Sequence, residues 1–273
     1  MAITDGSIVY LTSGSPESLA ALPGLAGFAV ALDRPLTIVA VQGREAGGRL
    51  DAALAALPPG WAPEVLAVAP DAVPEMLARI AANGGGILAL LPRRPHAAGR
   101  ILLGSEFERL LRHGPLPVLA LPAHGRVTRP SRILFPADLA PRSAAAFDET
   151  LTLCRALNAE LHLLHVFGDD RLLPAEQDLA RRRAARSPRE LLEIDQEQVR
   201  ALVGRAAAAG IAARSRTAEG RAHAQICSYA ASNGIDLIVM PSHGPRTLED
   251  IFRGSTTVRV VQSAPVAVLA IRG

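Results

Sequence analysis

Short apolar runs alternate with Ala-rich stretches at helical spacing through most of the chain, most clearly in its second half. Ile133–Pro136 is a short apolar run ending in proline and predicts a strand. Ser143–Leu157 places Ala146, Phe147, Leu151, Cys154 and Leu157 at helical spacing, and Leu161–Phe167 predicts a second strand. A helical piece is expected near Glu176–Ala185. Ser187-Pro188-Arg189-Glu190 then reads as a capping box with proline at the first helical position. The helix it opens runs towards Ala209, with Gly210 as its stop. Ile211–Thr217 predicts a weak strand, and Ala222–Ser232 a helix ended by Gly234. Asp236–Met240 is a strongly apolar strand, Gly254–Gln262 part of a helix, and Val266–Ile271 the last strand. Strands alternating with helices in this way predict a parallel, doubly wound α/β sheet.

The chain repeats itself. Gly104-Ser105, Pro115 and Val118-Leu119-Ala120 recur as Gly254-Ser255, Pro265 and Val268-Leu269-Ala270, each at an offset of 150, which Asn83-Gly84 and Asn233-Gly234 share. Earlier, Ile8-Val9 matches Ile133-Leu134 and Val41 matches Val166 at an offset of 125. The offset rises from 125 to 150, so the second copy carries 25 extra residues between Val166 and Asn233. The reading is two tandem domains, residues 1–122 and 132–273, joined through the polar, aperiodic stretch AHGRVTRPSR.

Composition adds little chemistry. The 273 residues are 49% hydrophobic but only 3% aromatic, the Ala/Leu/Val-rich mix of parallel strands under Ala-rich helices. All 29 basic residues are arginine, against 26 acidic ones. Arg93-Arg94 and Arg181-Arg182-Arg183 are read as solvated faces and not as a nucleic-acid patch, because acidic residues flank the second cluster. Cys154 and Cys227 have no metal or disulfide spacing and are expected to pack in helices as small apolar residues. The N-terminus lacks the pattern of a signal peptide, and no apolar run approaches a membrane span of ~20 residues. A soluble, cytoplasmic protein without membrane contact is expected.

In doubly wound sheets ligands bind beyond the carboxyl ends of the strands, where the strand order reverses. The loops after the first and fourth strands of the second domain are therefore the candidates. After the first comes Pro136-Ala137-Asp138. The Asp138 carboxylate either accepts hydrogen bonds from a ribose or adenine or caps the following helix. After the fourth comes Ser242-His243-Gly244, then nine residues, then Gly254-Ser255-Thr256-Thr257 opening a helix, whose N–H groups and dipole suit phosphate. His243 either contacts a phosphate or lies in solvent.

These residues resemble the universal stress protein family. Gly244, nine residues and Gly254-Ser255 is similar to that family's phosphate motif, and Pro136-x-Asp138 to its Pro-x-Asp after strand one. ELHLLHV, DLIVM and the final SAPVAVLAI resemble its second, fourth and last strands. The resemblance covers nearly all of residues 132–273 and, more loosely, 7–122. It implies two adenine-nucleotide α-hydrolase-like sheets of order 3-2-1-4-5 and binding of ATP or AMP, with magnesium. Asp138 and the backbone at Val166 would then hold adenosine, and Gly244, Gly254, Ser255 and Thr256 the phosphates; Pro136, Ala137, Met240 and His243 are counted with them as candidate site residues. It also implies pairing of sheets through their last strands, here Leu116–Leu121 with Val266–Ile271 inside one chain. A further homodimer and an unidentified protein partner stay open.

Two departures matter. Pro241 stands where the motif's first glycine belongs, so the loop is expected to be reshaped and binding weakened. In the first domain Ser13, Leu91, Arg94 and Glu106 replace Asp138, Pro241, Gly244 and Thr256, and no nucleotide is expected there. His162 and His165, three apart on a strand, point to opposite faces and share no metal. No catalytic constellation is visible. The leading reading is a stress-response protein that binds nucleotide in its second domain and acts as a regulatory module. The alternatives are a scaffold without nucleotide and a slow ATP hydrolase.

Overall fold

The computed structural model describes residues 6–41, 46–55, 57, 63–92, 114–122, 127, 129–168, 187–242 and 256–272. Its strands are β1 (Ser7–Thr12), β2 (Leu36–Val41), β3 (Glu64–Val68), β4 (Gly86–Leu90) and β5 (Val118–Ala120), then β6 (Arg132–Pro136), β7 (Glu160–Phe167), β8 (Ala213–Glu219), β9 (Leu237–Ser242) and β10 (Ala267–Arg272). They form one ten-stranded sheet of order β3-β2-β1-β4-β5-β10-β9-β6-β7-β8. Each half has the order 3-2-1-4-5, and every pairing is parallel except β5 with β10. The repeat offsets reappear as register: Ile8 and Val9 pair with Ile87 and Leu88, and their counterparts Ile133 and Leu134 pair with Leu237 and Ile238.

The described helices are α1 (Pro16–Leu19), α2 (Leu22–Ala31), α3 (Ala46–Ala55), α4 (Val73–Ala82), α5 (Ala144–Leu157), α6 (Pro188–Ala208), α7 (Ala222–Ser232) and α8 (Thr256–Ser263). The helix expected near Glu176–Ala185 and both arginine clusters lie outside the described residues. Helix α6 starts as its sequence predicts: Ser187 is the N-cap, its hydroxyl accepts from Glu190 N–H at 3.2 Å, and Pro188 follows. It ends at Gly210, which takes φ +75°, a conformation that costs glycine nothing. No helix among the described residues is long and apolar enough to cross a membrane.

Successive strand residues point to opposite faces, which produces two cores. Ile8, Leu119, Phe135, Leu163 and Leu269 face α2, α5 and α6; Val9, Val118, Leu134, Leu164 and Val268 face α4, α7 and α8. Cys154 is buried in the first layer and Cys227 half-buried against the second. Burial pushes their thiols up to about 12 and about 11, so both are protonated, unreactive packing groups.

The two halves meet where β5 and β10 run antiparallel, Val118 opposite Ala270, Leu119 opposite Leu269, Ala120 opposite Val268. All six side chains are buried. Two flat apolar edges that would otherwise template aggregation cover each other. The segment between the halves is tied down as well. Val127 is buried, and its carbonyl passes so close to Gly24 of α2 that an added Cβ would lie 2.5 Å from it. Asp236 Oδ2 then accepts from Ser131 N–H, Ser131 Oγ and Arg132 N–H at 2.8, 2.8 and 2.9 Å.

Candidate functional site

The strand order reverses between β6 and β9, and there the halves differ. β1 pairs with β4 as far as Leu11 with Leu90. β6 pairs with β9 only at Ile133–Leu237 and Leu134–Ile238, although β6 continues to Pro136 and β9 to Ser242. Proline explains the gap from both sides. Alternate N–H groups of a strand point to opposite neighbours. Ala137 N–H donates to Leu164 O in β7, so the nitrogen of Pro136 faces β9 and has no proton to give. β9 keeps its register with β10 through Pro241 and Ser242, paired with Ile271 and Arg272. The nitrogen of Pro241 therefore faces β6. Both missing donors face the same gap in the ladder, at the carboxyl ends of the strands.

This corrects the expectation that Pro241 reshapes a loop. Pro241 lies inside β9, and the strand runs on to Ser242. Its carbonyl accepts from Thr257 Oγ1 at 3.4 Å, which ties the first turn of α8 to the end of β9.

The chain after β6 is held from behind. Ala137 is buried, and its carbonyl accepts from His165 Nδ1 at 2.9 Å. His165 Nε2 lies 3.2 Å from Asp195 Oδ2 on α6. Both side chains are buried in the described structure, 5% and 4% exposed. Because a carbonyl only accepts, Nδ1 is the donor in the bond to Ala137. Asp138 is exposed, and its Oδ1 accepts from Ala140 N–H at 3.0 Å. The carboxylate thus closes a two-residue turn and does not cap α5, whose N-cap Ser143 makes no side-chain cap bond. Leu139 between them takes φ +57°, a left-handed conformation that costs a branched side chain about 1–2 kcal/mol. Strain of this kind concentrates where a loop's shape is functional.

The expected site residues fall as follows. Pro136 ends β6 and is buried; Ala137 and Asp138 form the loop; Val166 is half-buried near the end of β7; Met240 is buried in β9, paired with Ala270. Thr256 is the first residue of α8. His243, Gly244, Gly254 and Ser255 lie outside the described residues. The structure thus brings the adenosine-side group and the start of α8 to one end of the sheet. The sequence reading gave Thr257 no role of its own, though its hydroxyl reaches Pro241, and it missed the His165–Asp195 pair. A histidine in the apolar run ELHLLHV and an acid in the apolar stripe Asp195, Val199, Ala206 of α6 were the available signals.

His162 does face away from His165, towards α7: its Nδ1 lies 3.0 Å from Tyr229 Oη and its Nε2 3.8 Å from Glu160 Oε2. Burial holds its imidazole below the usual histidine range, against the opposing pull of Glu160. Among the described residues no cluster of three histidines, cysteines or acids is placed to hold a metal ion.

At the equivalent place in the first half, Thr12 replaces Ala137 and Ala40 replaces His165. Thr12 Oγ1 bonds Ser18 Oγ at 2.8 Å and accepts from Gly14 N–H at 3.1 Å; Tyr10 Oη donates to Ser18 O at 2.7 Å. These buried hydroxyls close the loop on α1. The left-handed residue persists, as Gly14 at φ +73°.

A family model described as the universal stress protein family matches residues 130–272. No curated protein sequence matches. Among solved structures, a universal stress protein from Archaeoglobus fulgidus DSM 4304 is 18% identical, with a TM-score of 0.68 over 98% of this chain and 96% of its own. A functionally unknown protein from Pseudomonas aeruginosa PAO1 gives 18% identity and a TM-score of 0.68 over 97% and 92%. At such identities the likeness establishes the fold alone. A universal stress protein solved in complex with cAMP matches 52% of this chain and 97% of its own, at 20% identity and a TM-score of 0.39. The family model spans just over half of the 273 residues, and by that match the chain belongs to the universal stress protein family.

Proposed function

We propose that the second half, residues 132–273, binds ATP or AMP with magnesium in the crevice between β6 and β9, and that occupancy regulates contact with a protein partner during stress. Asp138, Val166 and Met240 surround the adenosine on this reading, and Gly244, Gly254, Ser255 and Thr256 take the phosphates. Residues 1–122 act as a packing partner whose own switch point is closed. The observation that carries the reading is the asymmetry of the two switch points. β1 and β4 are zipped to Leu90, while β6 and β9 part after Ile238 with proline on both strands. The protein binds and signals on this reading.

Calorimetric titration of ATP and of AMP, with magnesium, into wild type and Gly254→Glu tests this. One site per chain in the wild type, abolished by a carboxylate placed against the phosphates, is the expected result. No heat with either nucleotide overturns it and leaves a scaffold that works through protein contacts.

A further inference from the structure

We propose that the buried His165–Asp195 pair is a relay that positions the switch-point loop and passes its state to helix α6. It deepens the nucleotide reading and rests on it, since it names how occupancy of that crevice reaches a distant surface.

Three observations carry it. First, Ala137 is pinned at both ends: its N–H donates to Leu164 O and its carbonyl accepts from His165 Nδ1. The peptide plane from which Asp138 departs is therefore set by the imidazole. Second, the other ring nitrogen reaches Asp195, in the second turn of α6, and both partners are buried. A buried hydrogen-bonded pair keeps its geometry because breaking it loses a bond that no water replaces. A shift of the loop is thereby transmitted to α6 and not absorbed by rotation of a free side chain. Third, the device stands beside the parted strands and not beside the zipped ones. In the first half the place of His165 is taken by Ala40, and Thr12 closes the loop with its own hydroxyl. α6 is also the longer counterpart of α3, 21 residues against 10, within the stretch where the second half gains its extra residues.

The two bonds can be cut separately. In His165→Asn the amide sits near the former Nδ1 and can still donate to Ala137, but falls short of Asp195; combining it with Asp195→Asn avoids a stranded charge. His165→Gln places its amide near the former Nε2, keeping the bond to Asp195 and losing the one to Ala137. Amide hydrogen exchange of the full chain is followed at residues 138–140 and along α6, without ligand and at each protein's own saturating ATP with magnesium. In the wild type ATP is expected to slow exchange in both places. In His165→Asn/Asp195→Asn the loop still responds and α6 no longer does. In His165→Gln the loop exchanges faster without ligand, by about tenfold or more. An α6 response to ATP that survives the double variant overturns the relay and leaves nucleotide binding standing. If the wild type shows no ATP binding, the nucleotide reading fails by itself. The relay is then judged on ligand-free exchange, where unchanged rates at 138–140 in His165→Gln overturn it. Should these variants fail to fold, a single change at Asp195 serves. Because Asn at 195 can still bond Nε2 and keep the link, Asp195→Leu is the variant that cuts it: residues 138–140 should still slow their exchange with ATP while α6 no longer does, and an α6 response that survives refutes the coupling.

Discussion

Leu11 and Pro136 occupy equivalent places at the ends of β1 and β6, yet only Leu11 is paired with a fourth strand, at Leu90. One side chain that closes onto its own backbone nitrogen accounts for the difference, because it deletes the donor aimed at β9. A proline inside a sheet is tolerated where a neighbour is absent, and here that place is the crevice.

Replacing the proline should therefore close the crevice. In Pro136→Leu the restored N–H can extend the ladder towards β9, a gain of about 1 kcal/mol. The greater freedom of the unfolded chain offsets it by up to about 1 kcal/mol. Stability measured by denaturant unfolding should thus stay within about 1 kcal/mol of wild type, while ATP affinity by calorimetry falls by about tenfold or more. Undiminished affinity would show that the gap is not the entrance.

The seam between the halves predicts a different response. Leu119 and Leu269 face each other across β5 and β10, both without solvent exposure. Leu269→Asp buries a carboxylate with no cation in reach and should cost more than about 3 kcal/mol. Circular dichroism against denaturant would detect it, and a change below about 1 kcal/mol would mean that the seam opens to water.

His162 links stability to pH. Burial lowers its pKa in the folded chain below the ordinary 6.5. Above that ordinary value neither state binds the proton and nothing is lost. As pH falls through it, the unfolded chain takes up a proton that the folded chain refuses, so stability drops until the folded pKa is reached. Unfolding free energies between pH 7.5 and 5 should decline more steeply for wild type than for His162→Gln. Parallel curves would contradict the buried, neutral imidazole.

Asp236 tests how firmly the second half is anchored at its start. One carboxylate oxygen accepts from Ser131 N–H, Ser131 Oγ and Arg132 N–H. Hydrogen bonds to a charged acceptor are worth about 1.5–3 kcal/mol where water is excluded, and less in this exposed setting. Asp236→Ala should lower stability by about 1–2 kcal/mol and speed amide exchange at Ser131 and Arg132. Unaltered exchange at those two amides would place the anchor elsewhere.

Much of the fold was legible in the sequence. Strand and helix periods, the cap at Ser187 and the stop at Gly210 are local, and local chemistry sets them within a turn of the chain. The change of offset from 125 to 150 located the longer middle of the second half, and the apolar edges of β5 and β10 already called for a partner. What lies between β6 and β9 was not legible. Pro241 reads locally as a broken glycine motif. Only the register with β10 shows that its missing N–H faces the same gap as that of Pro136. The turn that Asp138 makes was likewise not legible: its carboxylate accepts from Ala140 N–H at 3.0 Å. His165 and Asp195 are 30 residues apart in the chain, so no short-range pattern joins them, and their meeting depends on packing α6 against β7. Periodicity determines which residues turn inward because it repeats over a few positions. Which inward-facing polar groups find one another is decided only when the sheet closes and burial removes water as a partner.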